Sequence, residues 1–336
     1  MIKSKSVSSK DVAKEAGVSQ ATVSYVLNNV QGIKIKPETK EAVIAAARKL
    51  NYYPNLIARS MRLKKSMSIG IVSDKNVSNF MFMQVLEGIK EALVPKNYSI
   101  TLCFNKSSEV ENAEHIKYFS SNRIDGIIFV YANLNEENIA YLVDKNIPFA
   151  IIHNNVSNEM IHVVKNEMLN AVTDAVEHLK SNGHKRIAYF GTSFENTDDR
   201  RYNGYRIALE RCGLELDPQL LLKIPAAEDE MDEVIEKYFN LTNMIPDAIV
   251  CEATNIGFKT LKYAASKGIK VPSELAVIAI GTSKFSPHTY PAMSAIEAPL
   301  YDMGFKGVEM LLDILEGTIS EDIVVLEWSF VARDSS

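Results

Sequence analysis

Two kinds of hydrophobic pattern divide this chain near residue 67. Before that point, apolar positions recur three and four residues apart, as they do along one face of a helix. From Ser68 onward, short runs of β-branched and other apolar residues alternate with longer helical patterns. The first part therefore predicts a small helical unit, and the second part predicts an α/β fold.

The N-terminal pattern predicts two short helices joined by a tight link. Ser9 is a suitable N-cap for the first helix, Gly17 can adopt the left-handed conformation that ends it, and Ser19 is a suitable N-cap for the second. A third helix is predicted to begin at Pro37, because proline is favoured at the first helical position. Together these elements predict a helix-turn-helix within a three-helix unit.

The second predicted helix carries side chains suited to DNA. In a helix-turn-helix the N-terminal end of this helix enters the major groove, where Gln can bond adenine and Ala can contact a thymine methyl group. Ser and Thr hydroxyls can reach phosphates. The candidate contacts on and near this helix are Lys10, Ser19, Gln20, Ala21, Thr22, Ser24, Tyr25 and Asn28. A purely structural helical bundle is the alternative at this stage.

The pattern after residue 67 predicts parallel sheets with both faces covered by helices. The predicted strands are SIGIV, SITLCF, GIIFVY and FAIIH in a first series, and RIAYFG, LLLKI, AIVC and AVIAIG in a second. Two series of similar size predict two lobes, and ligands of open parallel sheets bind outside the carboxyl ends of the strands. We expect the chain to pass between the lobes near residues 153–160 and again near residues 284–298.

Charge is distributed unevenly between the two parts. The first 66 residues carry thirteen Lys and Arg against four Asp and Glu, a net charge of +9, whereas the rest carries 24 against 38, a net charge of −14. Basic side chains release condensed counterions from DNA, so this asymmetry favours a nucleic-acid partner for the N-terminal part. A solvated basic tail is the alternative interpretation.

The chemistry of enzymes, metal sites and membrane spans is not indicated. Cys103, Cys212 and Cys251 are far apart and predict reduced, buried thiols rather than a disulfide framework or a zinc site. The six histidines show no metal spacing, and no nucleotide-binding or hydrolase motif is present. No apolar run reaches the roughly 18 residues of a membrane span. We therefore expect a cytoplasmic protein without catalytic residues, metal or cofactor.

Three N-terminal segments resemble the headpiece of the LacI/GalR (lac-repressor) family of bacterial regulators. They are KDVAKEAGVSQATVSYVLNN from Lys10, PETKEAV from Pro37 and LNYYPNLIARSMR from Leu50. The resemblance continues in EHLKSNGHKRIAYFG from Glu177, RRYNGYRIAL from Arg200 and KGIKVPSELAVIAIG from Lys267. It implies a helix-turn-helix headpiece, a hinge helix and a two-lobed, periplasmic-binding-protein-like domain with parallel sheets.

The resemblance also implies a role for the hinge segment, residues 55–62. In the family this segment forms a helix when two copies pair over the minor groove, and the residue at the position of Met61 is inserted between base pairs. Ala58 is small enough for close approach of two such helices, and Arg59 can hold a phosphate. A linker residue lying against the next domain is the alternative for Met61.

The family's effector site implies a set of candidate residues in the larger domain. Arg201 matches an arginine that faces the effector, and its guanidinium suits a carboxylate, a phosphate or paired hydroxyls; a structural ion pair is the alternative. Phe82 is as well explained by core packing as by ligand contact. The candidates are Asp74, Met81, Phe82, Tyr131, His153, Phe194, Arg201, Glu252 and Gly281. Glycine at 281, where many members have Asp, weakens the case for a sugar and leaves a degenerate site as an alternative.

These observations predict a DNA-binding transcriptional regulator, most simply a repressor. We expect a headpiece at residues 1–53, a hinge at 54–66 and an effector-binding and dimerisation domain at 67–336. The expected partners are a pseudo-palindromic double-stranded operator, a small-molecule effector such as a sugar or related metabolite, and further copies of the chain in a homodimer or tetramer. An enzyme or a transport binding protein with the same two-lobed fold is the alternative, which the basic headpiece disfavours.

Overall fold

The computed structural model describes residues 7–27, 32–52, 65–103, 110–152, 162–194, 200–241, 245–318 and 322–336. The chain folds into two compact units, Met1–Met67 and Ser68–Ser336. Five candidate residues lie outside the described part of the chain: Asn28, Ala58, Arg59, Met61 and His153. Their assignments stay predictions.

The first unit is built on three helices, α1 (Ser9–Ala16), α2 (Gln20–Leu27) and α3 (Pro37–Lys49). Each helix contributes small or β-branched apolar side chains to one core, which consists of Val12, Ala13, Val23, Val43, Ala46 and Ala47. The predicted three-helix unit and the start of its third helix at proline are confirmed.

The helix ends explain where α1 and α2 begin and stop. The predicted cap of α1 was wrong by one residue, because Ser8 is the N-cap and its backbone N–H and hydroxyl donate to the Asp11 carboxylate at 2.8 and 2.6 Å. Gly17 ends α1 with φ of 65° in the left-handed region that glycine tolerates. Ser19 caps α2, since its hydroxyl accepts from the Thr22 N–H at 3.1 Å.

The second unit contains two six-stranded sheets flanked by helices. Its strands are β1 (Ser68–Val72), β2 (Ser99–Cys103), β3 (Gly126–Val130), β4 (Phe149–Ile152), β5 (Val163–Glu167), β6 (Ile187–Gly191), β7 (Leu221–Lys223), β8 (Ala248–Cys251), β9 (Ala276–Ile280), β10 (Ser294–Glu297), β11 (Ile323–Glu327) and β12 (Ser329–Val331). Its helices are α4 (Phe80–Leu93), α5 (Glu114–Ser120), α6 (Glu136–Asp144), α7 (Leu169–Ser181), α8 (Arg200–Arg211), α9 (Met231–Leu241), α10 (Thr254–Lys267) and α11 (Leu300–Glu316).

Each sheet is the centre of one lobe. The first sheet has the order β11-β5-β4-β3-β1-β2 and the second has the order β12-β10-β9-β8-β6-β7. All described pairings are parallel except that of β10 with β12. The α/β fold with two parallel-sheet lobes is therefore confirmed.

The central strands of the first lobe, β1, β3 and β4, are buried on both faces, which explains their continuous apolar sequences. In β3, Ile128 and Val130 pack on the side of α4 and α11, whereas Ile127 and Phe129 pack on the side of α5 and α6. The closest helix contact is between α4 and α11, where Gly88 faces the Tyr301 backbone and Gly304 faces the Val85 backbone.

The chain passes between the lobes at three points, of which one lies at the end of a predicted range and two were not predicted. The first passage follows β5, because that strand still belongs to the first sheet while α7 packs in the second lobe. The second passage lies between β10 and α11, at the end of the predicted range. A third passage, at Trp328 between β11 and β12, was not predicted. The sequence pattern predicted eight of the twelve described strands, missing β5, β10, β11 and β12, and it did not indicate which sheet each strand joins.

Candidate functional site

The N-terminal end of α2 presents a polar surface next to the start of α1. The Gln20 amide donates to the Ser9 hydroxyl at 2.7 Å, and the hydroxyls of Ser19 and Thr22 lie 2.9 Å apart. Val23 turns inward and is buried in the three-helix core. The helix is thus held by its apolar side while its first turn is open to a partner.

The predicted DNA-contacting residues that the structure describes are all on the surface of the first unit. Lys10, Ser19, Gln20, Ala21 and Tyr25 are exposed. Thr22 and Ser24 are half-buried. The structure therefore brings these candidates onto one helix and the adjoining turn of α1, an arrangement that can contact base edges and phosphates together.

A charged pair lies at the carboxyl ends of two strands in the second lobe. Arg201, the second residue of α8, has its Nη1 atom 3.7 Å from Oε1 of Glu252, which follows β8. The Glu252 side chain is buried, whereas the side chain of Arg201 is 41% exposed. Two of the nine candidate effector residues are therefore neighbours.

Thr192, which follows β6, holds the Glu252 carboxylate in place. Its backbone N–H donates to Oε2 of Glu252, and its hydroxyl lies 2.9 Å from Oε1. A Cβ atom at Gly191 would crowd both the carboxylate and the Tyr189 ring, so the strand must end in glycine here. Sequence analysis missed Thr192, although its position after a buried strand was a usable signal.

Two of the predicted effector residues pack into hydrophobic cores. Phe82 is 2% exposed and belongs to the core between the first sheet and α4, which favours core packing, the alternative that its sequence left open. The apolar face of α4 needed a large side chain at that position. Phe194 is half-buried, and its ring packs against Tyr189 and Tyr202 at centroid distances of 6.1 and 5.3 Å.

The remaining described candidates have separate environments. Oδ2 of Asp74 accepts from the Asn133 N–H at 2.6 Å within the first lobe. Met81 is exposed, and burial raises the pKa of the Tyr131 phenol. Gly281 has φ of 128°, a value suited to glycine. The structure thus joins Arg201 to Glu252.

The described residues contain neither a metal-binding cluster nor a membrane-spanning helix. Across these residues no cluster of three or more His, Cys, Asp or Glu side chains could hold a metal ion. Within the same ranges, no helix combines the length and apolar character needed to cross a bilayer. Cys103, Cys212 and Cys251 are buried free thiols.

Family models match both parts of the chain. The model described as bacterial regulatory proteins of the lacI family matches residues 9–55, and a periplasmic binding protein-like domain matches residues 176–336. The HTH-type transcriptional regulator RegA of Clostridium acetobutylicum is 31% identical over 336 residues and covers 97% of this chain and 98% of its own. Catabolite control protein A of Priestia megaterium is 27% identical over 329 residues, with 97% and 98% covered.

Solved structures share the fold over nearly the whole chain. The lac repressor dimer bound to operator and the anti-inducer ONPF has a TM-score of 0.72 at 23% identity, covering 98% of this chain and 99% of that one. The transcriptional regulator CelR in complex with cellobiose has a TM-score of 0.65 at 24% identity, covering 98% and 100%.

The relatives that match along the full chain are transcriptional regulators rather than enzymes, as the sequence predicted. Their similarity spans both the helix-turn-helix unit and the two lobes. This chain therefore belongs to the lacI family of bacterial regulatory proteins and is a DNA-binding transcriptional regulator.

Proposed function

We propose that this regulator is a repressor that binds a pseudo-palindromic operator as a homodimer, with operator affinity set by a small molecule held between its lobes. The exposed first turn of α2 carries the DNA-binding part of this proposal. Two such turns, one from each protomer, would lie in successive major grooves of the two half-sites.

Within each half-site, Gln20 and Ala21 would read base edges, and Lys10, Ser19, Thr22, Ser24, Tyr25 and Asn28 would hold the backbone or neighbouring bases. The hinge residues Ala58, Arg59 and Met61 would act at the centre of the operator, where an apolar wedge opens the minor groove. The proposed layout is a headpiece at 1–53, a hinge at 54–66 and an effector-binding domain at 67–336, in a cytoplasmic protein.

The effector site is proposed around Arg201 and Glu252, and Met81, Tyr131, His153 and Gly281 remain candidates for its other walls. Because the buried Glu252 carboxylate already offsets the guanidinium charge at 3.7 Å, the pair favours a neutral ligand over an anionic one. Vicinal hydroxyls can donate to the carboxylate and accept from the guanidinium. A neutral sugar fits this chemistry, and the cellobiose bound by the similar protein CelR supports the class.

The operator-binding part is tested by selecting bound sequences from random duplexes and measuring their affinity. We expect a palindromic site whose affinity falls steeply as salt rises. Gln20→Ala should weaken binding by about 1–3 kcal/mol and relax the preference at one position in each half-site. Gln84→Ala, a matched change on α4, should leave affinity unchanged. Equal affinity for all duplexes would contradict the proposal.

The effector part is tested by thermal unfolding with neutral mono- and disaccharides and with their phosphates. A neutral sugar should raise Tm in a saturable way, and Arg201→Ala should abolish the rise. Arg206→Ala, on the exposed side of the same helix, should retain it. Stabilisation by sugar phosphates alone, or a response that survives in Arg201→Ala, would contradict a neutral ligand at this pair.

A further inference from the structure

A cavity of about 220 Å³ lies inside the first lobe, on the side of the sheet that faces α5 and α6. It begins where β1 and β3 end, and all its walls come from residues 72–142. Its apolar walls are formed by Val72, Val110, Ala113, Phe129, Ala132, Leu134 and Leu142, and its polar groups by Asp74, His115, Asn133 and Asn138. No described residue of the second lobe contributes to this lining, and neither Arg201 nor Glu252 belongs to it.

His115 is a buried polar group that packing alone does not explain. The residue is 5% exposed, and its ring meets the Phe129 ring edge to face at 5.4 Å between centroids. Within the described residues, its Nδ1 atom has no hydrogen-bond partner. Burial lowers the pKa of His115 to about 4, so the imidazole is neutral at pH 7 and offers one nitrogen as an acceptor and one as a donor. Such a group in a cavity wall is expected to bond to something that occupies the cavity.

The other polar groups define the charge of a suitable occupant. The Asp74 carboxylate accepts the Asn133 N–H through Oδ2, and a carboxylate has acceptor capacity beyond one bond. Asn138 uses its amide oxygen to accept from the Asn135 N–H at 3.3 Å, which leaves its NH₂ group as the donor of that side chain. Among the described lining residues, one is acidic and none is Lys or Arg, so this part of the wall repels anions.

We propose that this cavity is a second ligand site, separate from the effector site, for a small neutral or cationic nitrogen heterocycle bearing N–H donors. Its amino group would donate to Asp74, a ring nitrogen or N–H would pair with His115, and its flat face would lie against Phe129 and the aliphatic wall. The volume is below the roughly 300–1,000 Å³ of sites for drug-sized ligands, which limits the occupant to a single ring or a fused pair.

The site is tested on the full chain with 2-aminopyrimidine and cytosine as probes and benzoate as the anionic control. Binding is followed by titration calorimetry and by thermal unfolding. The two heterocycles should bind saturably and raise Tm, and benzoate should not. His115→Phe keeps an aromatic ring beside Phe129 but removes both ring nitrogens, and it should weaken heterocycle binding at least tenfold. Asp74→Asn should weaken it similarly while leaving the polar contact to Asn133 possible.

Arg201→Ala distinguishes this site from the proposed effector site. Heterocycle binding should be unchanged in Arg201→Ala, and any sugar response should be unchanged in His115→Phe. Loss of heterocycle binding in Arg201→Ala but not in His115→Phe would place the heterocycle at the other site and overturn the proposal. Absence of any binding by 2-aminopyrimidine and cytosine, with His115→Phe folded as the wild type, would also overturn it.

Discussion

The indole N–H of Trp328 donates to the amide oxygen of Asn166 at 2.9 Å, joining two of the three points where the chain passes between the lobes. Asn166 lies in β5 just before the first passage, and Trp328 is itself the third. The guanidinium of Arg200 donates to the Asn166 backbone oxygen at 3.0 Å, and the backbone N–H of Trp328 donates to the Glu167 backbone oxygen at 2.8 Å. This group of bonds fixes the passages to one another and to the start of α8, the helix that carries Arg201.

Asn166→Ala should therefore destabilise the second unit by about 1–3 kcal/mol, because it removes the acceptor of a partly buried indole N–H. Denaturant unfolding monitored by Trp328, the single tryptophan, measures the change. Asn170→Ala, on the first turn of α7 with an exposed contact to Glu327, is the matched control and should change stability by less than about 0.5 kcal/mol. Equal losses of stability from the two substitutions would show that the Asn166 hydrogen bonds contribute no more to stability than an exposed contact does.

Eight of the twelve described strands, β1–β4 and β6–β9, could be predicted because most of them are buried and therefore appear as short apolar runs between glycines and polar turns. The strands β5, β10, β11 and β12 were not predicted. The passages could not be predicted, because they depend on which sheet a strand joins. β5, VVKNE, and β11, IVVLE, mix apolar and charged residues and pair only with each other and with β4. Nothing local distinguishes a strand that stays in the first sheet from one that begins the second.

The candidate sites show the same division between local and tertiary information. Ser19 and Gly17 act locally, and their predicted roles as cap and stop are confirmed. The role of Phe82 stayed open in the sequence because an aromatic residue on a helix after β1 has the same pattern whether it faces a ligand or the core. Thr192 was missed because its role depends on Glu252, sixty positions away along the chain.

The crossing of α4 and α11 should tolerate nothing larger than glycine at its centre. A Cβ atom at Gly88 would lie far inside van der Waals contact with the Tyr301 backbone oxygen, and backbone cannot move aside as a flexible side chain can. Gly88→Ala should destabilise the fold by about 1–3 kcal/mol or more. Gly204→Ala on α8 is the control, because its Cβ would meet Val172 at an ordinary 3.5 Å. That change should be neutral or stabilising by up to about 1 kcal/mol, since alanine is the better helix former.

The buried imidazole of His115 should make the fold less stable in mild acid. Burial holds its pKa at about 4 in the native state, against 6.5 for an ordinary histidine, so between these values the unfolded chain binds a proton that the native chain does not. Stability should fall as the pH drops from 6.5 to 4, by up to about 3 kcal/mol from this group, and then level off.

His115→Phe should remove that part of the pH dependence. Urea unfolding of the wild type and of the variant at pH 7, 6, 5 and 4 measures the free energy of unfolding that tests this. The exposed His288 provides the control, since His288→Gln should leave the slope of the wild type unchanged. A wild-type slope that persists in His115→Phe would assign the acid sensitivity to other groups.

The hydrogen bond from Gln20 to Ser9 should raise the affinity of α2 for its operator. Because the Gln20 amide nitrogen is held by the Ser9 hydroxyl at 2.7 Å, its amide oxygen points in a direction fixed before DNA binds. Ser9→Ala should lower affinity for the selected operator about two- to tenfold, although Ser9 need not touch a base. When Ser9→Ala is added to Gln20→Ala, the free energy of operator binding should not change further. The double-mutant cycle should therefore give a coupling energy of about 0.5–1.5 kcal/mol between the two residues. Fluorescence anisotropy at fixed salt measures all four proteins, and additive losses would show that Ser9 acts on its own, through phosphate contact or the stability of α1.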